Sequence, residues 1–329
     1  MKRVLVVEDS PTARRYVCSM LSASVDFEVV AVARTGEEAL RAAAALAPDL
    51  VSLDVFLPDL TAAEVVRRLL LFRPVPVLLL SNAPRDADDV FRALEAGAVD
   101  FLPKPSPHDP RGAALVLNAL RELVSRAQGE ASSAGPVPLT PRGSVCLVVV
   151  ASSTGGPPAL KTFLSGLPRG FTPPVLVAQH LTPGFEEGLA RWLALSCPLP
   201  VKVLKGRTAL EPGVYLGQPH HDLLLRNRGE AECVVAPERG YHPSGDLLFE
   251  SAATHFGAGV VAVVLSGIGS DGQRGAGFVQ RAGGLVFAQS LTSAAVRGMP
   301  QSVIKAGLTS LNGTPEALAT RLAMLAPIP

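Results

Sequence analysis

Ser153, His180 and Asp271 are a nucleophile, a base and a carboxylate, and each follows an apolar run. The run Val145–Val150 leads into Ala151-Ser152-Ser153-Thr154-Gly155-Gly156-Pro157, a strand-to-helix turn built from small residues. Such a turn lifts a serine Oγ above the sheet, where it can act as a nucleophile. Its glycines let backbone N–H groups approach, and the helix N-terminus favours a developing negative charge, so the region of Thr154 is a candidate oxyanion site. Val175–Ala178 ends in Gln179-His180. On a neighbouring parallel strand, that imidazole would take the serine proton. Val260–Leu265 ends in Ser266-Gly267-Ile268-Gly269-Ser270-Asp271-Gly272, which brings a carboxylate to the same edge. There Asp271 would hold the His180 tautomer and stabilise imidazolium. The order Ser, His, Asp differs from that of the α/β-hydrolases, but the roles follow geometry rather than order.

Other readings of the same residues stay open at this point. Small-residue turns after a strand also cradle nucleotide phosphates. A dinucleotide fold wants an acidic residue at the end of the following strand, where Gln179-His180 stands instead. A strand-end histidine is often structural, and Asp271 between glycines fits a helix cap. His220-His221 tempts a metal reading, but adjacent strand residues face opposite ways. They read as surface residues.

A second constellation lies earlier in the chain. Glu8-Asp9 ends a first strand, Asp54 a third, Ser81 a fourth, and Lys104 follows a fifth. In a doubly wound sheet these strand ends converge on one crevice. Crowded carboxylates there suit Mg²⁺, which takes oxygen ligands. A hydroxyl and an ammonium beside them suit phosphoryl oxygens, making Asp54 a plausible nucleophile for an aspartyl phosphate. Taken singly, each has a plainer reading: Asp54 as a cap or loop residue, Ser81 as a turn residue, Lys104 as a solvated loop lysine.

The elements that must position these groups alternate between strand and helix along both halves. Strand patterns at Val4–Val7, Val29–Ala33, Leu50–Leu53, Val77–Leu80 and Val99–Leu102 enclose helical ones at Thr12–Ser22, Glu37–Leu46, Ala63–Leu71 and Asp88–Ala96. Ala113–Arg126 reads as a last helix. The alternation predicts an α/β chain with two doubly wound parallel-sheet domains, the second Rossmann-like. Gly, Pro and Ser interrupt it, which predicts domains at 1–126 and 144–329 joined by a linker at 127–143. In the second half, Val201–Leu204 and Leu285–Ala288 add strands, while Tyr215–Leu216, Asp222–Arg226 and Glu232–Val235 read as a short antiparallel excursion. The 329 residues fit two domains, and 48% hydrophobic content supplies ordinary cores. A net charge of +1 gives no reason to expect nucleic acid or a membrane surface. The apolar runs are too short to span a bilayer, the N-terminus has no signal-peptide pattern, and Cys18, Cys146, Cys197 and Cys233 form no metal motif. A cytoplasmic protein is expected.

Glu8-Asp9-Ser10, Leu53-Asp54, Leu57-Pro58 and Ala96-Gly97-Ala98-Val99-Asp100-Phe101-Leu102-Pro103-Lys104-Pro105 resemble a response-regulator receiver domain over about residues 1–125. The resemblance implies phosphorylation of Asp54 by a histidine kinase, and Mg²⁺ held by Glu8, Asp9, Asp54 and the Phe56 carbonyl. It makes Ser81 and Phe101 the switch pair and gives Lys104 a phosphoryl contact. Thr61-Ala62 stand where Asp-Gly is usual.

Ser153-Thr154-Gly155-Gly156, Gln179-His180-Leu181-Thr182-Pro183-Gly184-Phe185, His242-Pro243-Ser244-Gly245-Asp246 and Ser266-Gly267-Ile268-Gly269-Ser270-Asp271-Gly272 resemble the chemotaxis protein-glutamate methylesterases, over about residues 144–325. This implies a Ser153–His180–Asp271 triad with Thr154 and Ile268 at the oxyanion. It also implies hydrolysis of methyl-glutamate on chemoreceptors, with deamidation of glutamine in some relatives and no cofactor for the esterase. Ala151, Ser270 and His242 replace a usual Gly, Asn and Arg. The fused order suggests that phosphorylation at Asp54 gates the hydrolase. Two rivals are an inactive two-domain adaptor, against which the intact Ser, His and Asp set speaks, and a DNA-binding regulator. The second would need a helix-turn-helix and a basic face.

Overall fold

A computed structural model describes residues 1–81, 87–125, 144–238 and 240–326. The expected linker, 127–143, lies outside them. The chain divides into two compact units, residues 1–128 and 129–329. Among the described residues no helix is long and apolar enough to cross a membrane.

The first unit alternates β1 (Lys2–Val7), α1 (Pro11–Ser22), β2 (Phe27–Ala33), α2 (Gly36–Leu46), β3 (Leu50–Asp54), α3 (Ala62–Phe72), β4 (Val77–Leu80), α4 (Ala87–Glu95), β5 (Asp100–Leu102) and α5 (Pro110–Ser125). The five strands pair in parallel in the order β2-β1-β3-β4-β5. Their central members are buried on both faces, which accounts for the unbroken Val/Leu runs. Helix starts are set by side-chain caps: Ser10 accepts from Ala13 N, Thr35 from Glu38 N and Thr61 from Glu64 N. Thr61 is ordinary extended backbone (φ −72°, ψ 149°) and Ala62, in the usual Gly place, opens α3 without a positive φ, so the Thr61-Ala62 departure costs no strain.

The second unit runs β6 (Leu147–Ser152), α6 (Gly156–Ser165), β7 (Val175–Gln179), α7 (Glu186–Ala194), β8 (Val201–Val203), β9 (Arg207–Ala209), β10 (Val214–Leu216), β11 (His221–Asn227), β12 (Glu230–Val235), α8 (Gly245–Phe256), β13 (Val260–Val264), α9 (Gln273–Arg281), β14 (Leu285–Gln289), α10 (Gly298–Lys305), β15 (Leu311–Gly313) and α11 (Pro315–Leu325). Seven strands form one sheet in the order β15-β14-β13-β6-β7-β10-β8. Every pairing in it is parallel. The chain leaves β6 in one direction through β7 and returns on its other side through β13. The boundary between β6 and β13 is therefore the switch point, and the crevice beyond its carboxyl ends is where such sheets bind ligands.

The antiparallel excursion is only partly as expected. β11, β12 and β9 form a three-stranded antiparallel sheet, but Tyr215–Leu216 belong to β10 in the main sheet. The physical reason is burial: all of β10 is buried between β7 and β8, and a strand covered on both faces belongs in a parallel sheet. Of the histidine pair, His220 is exposed in the turn before β11 and only His221 lies in the strand.

Candidate active site

The loops after β6, β7 and β13 bring Ser153, His180 and Asp271 to one rim of the seven-stranded sheet. Register fixes the first pair. Ser152 is opposite Gln179, so Ser153 and His180 leave adjacent strands together, and the His180 amide donates to Ser152 O at 2.9 Å. The Ser153 amide donates to Ser266 O at 2.9 Å, which ties the turn to the loop after β13. Gly155 turns the chain with φ +70°, and a Cβ there would fall 2.7 Å from Ser266 Oγ. Helix α6 begins at the next residue, with its N-terminus at the serine turn.

The His180 Nε2 lies 3.0 Å from Asp271 Oδ2. Asp271 also accepts from Gly245 N at 2.6 Å, Asp246 N at 3.0 Å and Ser244 Oγ at 3.2 Å. Burial pushes its carboxyl upward, but the His180 hydrogen bond and charge and the two backbone amides outweigh that and hold it below the usual carboxylate range. An ionised Asp271 accepts only, so His180 carries its proton on Nε2. The lone pair then sits on Nδ1, which is buried and has no hydrogen-bond partner among the described residues. Asp271 does act as a cap, though not for its own helix: α9 is capped by Gly272, and Asp271 serves the N-terminus of α8. One carboxylate therefore both caps α8 and meets the His180 ring.

Of the two amides expected at the oxyanion, that of Thr154 follows Ser153 directly and that of Ile268 follows Gly267, which packs against the serine. Position 267 is packed so closely that a Cβ would fall 2.8 Å from Ser153 Cβ and overlap Met299 Sδ. Only glycine lets the Ile268 backbone approach Ser153 this way.

In the first unit, Glu8, Asp9 and Asp54 each offer a carboxylate oxygen within 4.8 Å of the others. Lys104 Nζ lies 2.7 Å from Asp54 Oδ2 and donates to Glu8 Oε1 at 3.1 Å. Glu8 Oε2 is 3.0 Å from that ammonium but, though buried, makes no aligned hydrogen bond among the described residues. Burial, reinforced by the charge of Asp54, raises the Glu8 carboxyl to about 7 against the opposing pull of Lys104. Three crowded carboxylates, one of which has a buried oxygen without a hydrogen bond among the described residues, fit a hard divalent cation. Ser81 and Phe101 are buried at the neighbouring strand ends, and Phe101 packs edge-on against Phe91 at 5.9 Å. The loop after Asp54 is anchored by Asp59, which accepts from Gly36 N at 2.7 Å and Glu37 N at 3.0 Å.

The raised Glu8 pKa carries a pH signature. A carboxyl whose folded pKa exceeds its unfolded value contributes stability that is full below about pH 4.5 and lost as pH rises through about 7. With divalent cations chelated, the melting temperature of the first unit is expected to fall between pH 5 and 8. Glu8→Gln should flatten that slope in calorimetry, and a variant with the wild-type slope would refute the assignment.

Residues 148–322 match the family model described as CheB methylesterase, and residues 4–112 match the response regulator receiver domain. A protein-glutamate methylesterase/protein-glutamine glutaminase of Anaeromyxobacter dehalogenans is 41% identical, covering 98% of this chain and 99% of its own. The chain belongs to the CheB methylesterase family. A second member, from Myxococcus xanthus, is 40% identical over 97% of this chain and 96% of its own. The crystal structure of the Thermotoga maritima CheB methylesterase catalytic domain matches with a TM-score of 0.52 and 31% identity, covering 56% of this chain and 100% of that one.

Within this CheB-family site, several side chains make contacts that the sequence does not show. Gln179 is buried; its Oε1 accepts from Ser152 Oγ at 2.6 Å, and its Nε2 donates to Ser153 O at 3.0 Å and His180 O at 2.8 Å. One amide thus spaces Ser153 from His180. Ser266 Oγ donates to Thr154 O at 2.8 Å and accepts from Val296 N at 2.9 Å. Ser244 caps α8 and contacts Asp271. A polar residue closing an apolar strand, as Gln179 and Ser266 do, was the available signal. Tyr241 stacks on His180 and carried none.

Proposed function

We propose that this chain hydrolyses glutamate methyl esters on chemoreceptor proteins, under control of phosphorylation at Asp54. The observation that carries the reading is the Asp271–His180 pair at the strand end next to Ser153, with a buried Nδ1 that has no hydrogen-bond partner among the described residues. The close relatives named protein-glutamate methylesterase/protein-glutamine glutaminase support the same chemistry.

Ser153 Oγ attacks the ester carbonyl while His180 Nδ1 takes its proton. The carbonyl π electrons move onto oxygen, and the Thr154 and Ile268 N–H groups stabilise that oxyanion; one such donor is worth about 10²–10³ in rate. The imidazolium, held by Asp271, returns the proton to the methoxy oxygen as the carbon–oxygen bond breaks. Methanol leaves a glutamyl ester on Ser153. Water, deprotonated by Nδ1, attacks that ester and frees glutamate and Ser153. A glutamine side chain follows the same route with ammonia as the leaving group.

In the first unit, Asp54 accepts the phosphoryl group from a histidine kinase. Glu8, Asp9 and Asp54 would hold Mg²⁺, which neutralises phosphoryl oxygens when bound. Lys104 holds the same group, and Ser81 and Phe101 report it. Such a protein works in the cytoplasm on the inner segments of membrane receptors without entering the membrane itself.

The test is methanol release from methylated receptor by the full chain, with Mg²⁺ and a small-molecule phosphodonor. Turnover is expected to rise severalfold with the phosphodonor, and Asp54→Asn to be unresponsive. A wild-type chain that releases no methanol under either condition would defeat the proposal in favour of an adaptor.

A further inference from the structure

We propose that Tyr241 is a positioning residue for His180, its ring face fixing the imidazole plane and stabilising the imidazolium formed during the reaction. The inference rests on the hydrolase reading above and names a group outside the triad. The rings of Tyr241 and His180 are stacked, with centroids 5.1 Å apart and planes 13° from parallel. Hydrogen bonds act on imidazole only in its plane, and here Asp271 occupies that plane at Nε2. The π face remains, and an aromatic ring there does two things a carboxylate cannot. It blocks rotation out of the plane, and its negative face attracts the cation more than the neutral base. Stabilisation that grows as charge develops lowers the barrier, not merely the ground state.

The contact is built rather than incidental. Tyr241 sits in the loop between β12 and α8, and the residues that follow it are held by two carboxylates. On one side, buried Asp222 of β11 accepts from Ser244 N at 2.8 Å and lies 2.8 Å from His242 Nδ1. On the other, Asp271 binds Ser244 Oγ and the first amides of α8. The carboxylate that orients His180 therefore also anchors the loop that covers it. Tyr241 is 51% exposed, while the His180 side chain is 10% exposed, so the tyrosine shields the base from solvent and contributes little to the core. Its replacement should leave the fold intact.

The experiment uses the full chain, activated by the phosphodonor, with methylated receptor as substrate. Tyr241→Leu is expected to lower kcat roughly three- to thirtyfold with KM changed less than about twofold. Tyr241→Phe, which keeps the ring face and loses the hydroxyl, should restore kcat to within about twofold of wild type. Proton NMR of the imidazole should show the ring-current shift of His180 in the wild type and the Phe variant and its loss in the Leu variant. Wild-type kcat in Tyr241→Leu would overturn the proposal. So would a Phe variant as slow as Leu, or a rise in KM with kcat intact, which would make Tyr241 a receptor contact. If Ser153→Ala retains full turnover, the hydrolase reading itself fails, a result distinct from any of these.

Discussion

Replacing Ser153 by alanine is expected to lower kcat for methanol release by on the order of 10⁵–10⁶, with the protein still folded. The size of the effect follows from covalent chemistry: without Oγ there is no acyl-enzyme, and the remaining amides and base stabilise only a direct attack by water. The fold should survive because the turn is held by its backbone. Ser153 N donates to Ser266 O, and Ser153 O accepts from Gln179 Nε2. Neither bond involves the side chain that is lost. Ser152→Ala is the informative control. The Ser152 hydroxyl donates to Gln179 Oε1 at 2.6 Å, so its loss weakens a buried network without removing a nucleophile. It should lower the melting temperature more than Ser153→Ala does and still release methanol. If Ser153→Ala turned over like wild type, or Ser152→Ala were the dead variant, the nucleophile would be misassigned.

How far the sequence could be read follows the physics of its signals. Buried parallel strands announce themselves as short Val/Leu/Ala runs, so the main strands of both sheets were legible, as were the residues just beyond them. Asp54, Ser153 and His180 stand out because a polar residue after an apolar run marks a carboxyl end. The three-residue strands were harder. β15, Leu311-Asn312-Gly313, is half-buried and carries no run at all. Tyr215-Leu216 read as part of the antiparallel excursion but lie in β10 of the main sheet, because so short a strand shows no period that separates one sheet from another. Side-chain partners across long separations were harder still. Nothing local in Tyr241 points to His180, 61 positions earlier, since stacking depends on how one loop is clamped between Asp222 and Asp271. The Nδ1/Nε2 choice at His180 was equally invisible, because it follows from where Asp271 meets the ring.

That choice gives Asp271→Asn its expected consequence, a fall in kcat of roughly 10³–10⁴. The asparagine amide has almost the same shape and can still meet Nε2. Its oxygen, however, is already wanted by the Gly245 and Asp246 amides, which the carboxylate serves with both oxygens. Turning the amide oxygen toward α8 presents NH₂ to His180 Nε2. The imidazole then moves its proton to Nδ1, leaving no lone pair for Ser153. Turning it the other way keeps the tautomer but sets a donor against the helix amides. Either arrangement also lacks the negative charge that stabilises imidazolium. Loss of cap acceptors should cost about 1–2 kcal/mol of stability, far too little to explain the activity loss at a temperature where the variant is folded. The pH dependence separates the two effects. Because the Asp271 pKa is held below its usual value, its stabilising contribution is present above the unfolded pKa near 3.8 and is lost only as pH falls through the lower folded value. The stability gap between wild type and Asp271→Asn should therefore still be open at the pH of the activity assay and close only in strong acid. A variant within tenfold of wild-type kcat would mean that His180 keeps its tautomer without Asp271, and the pair would then be structural.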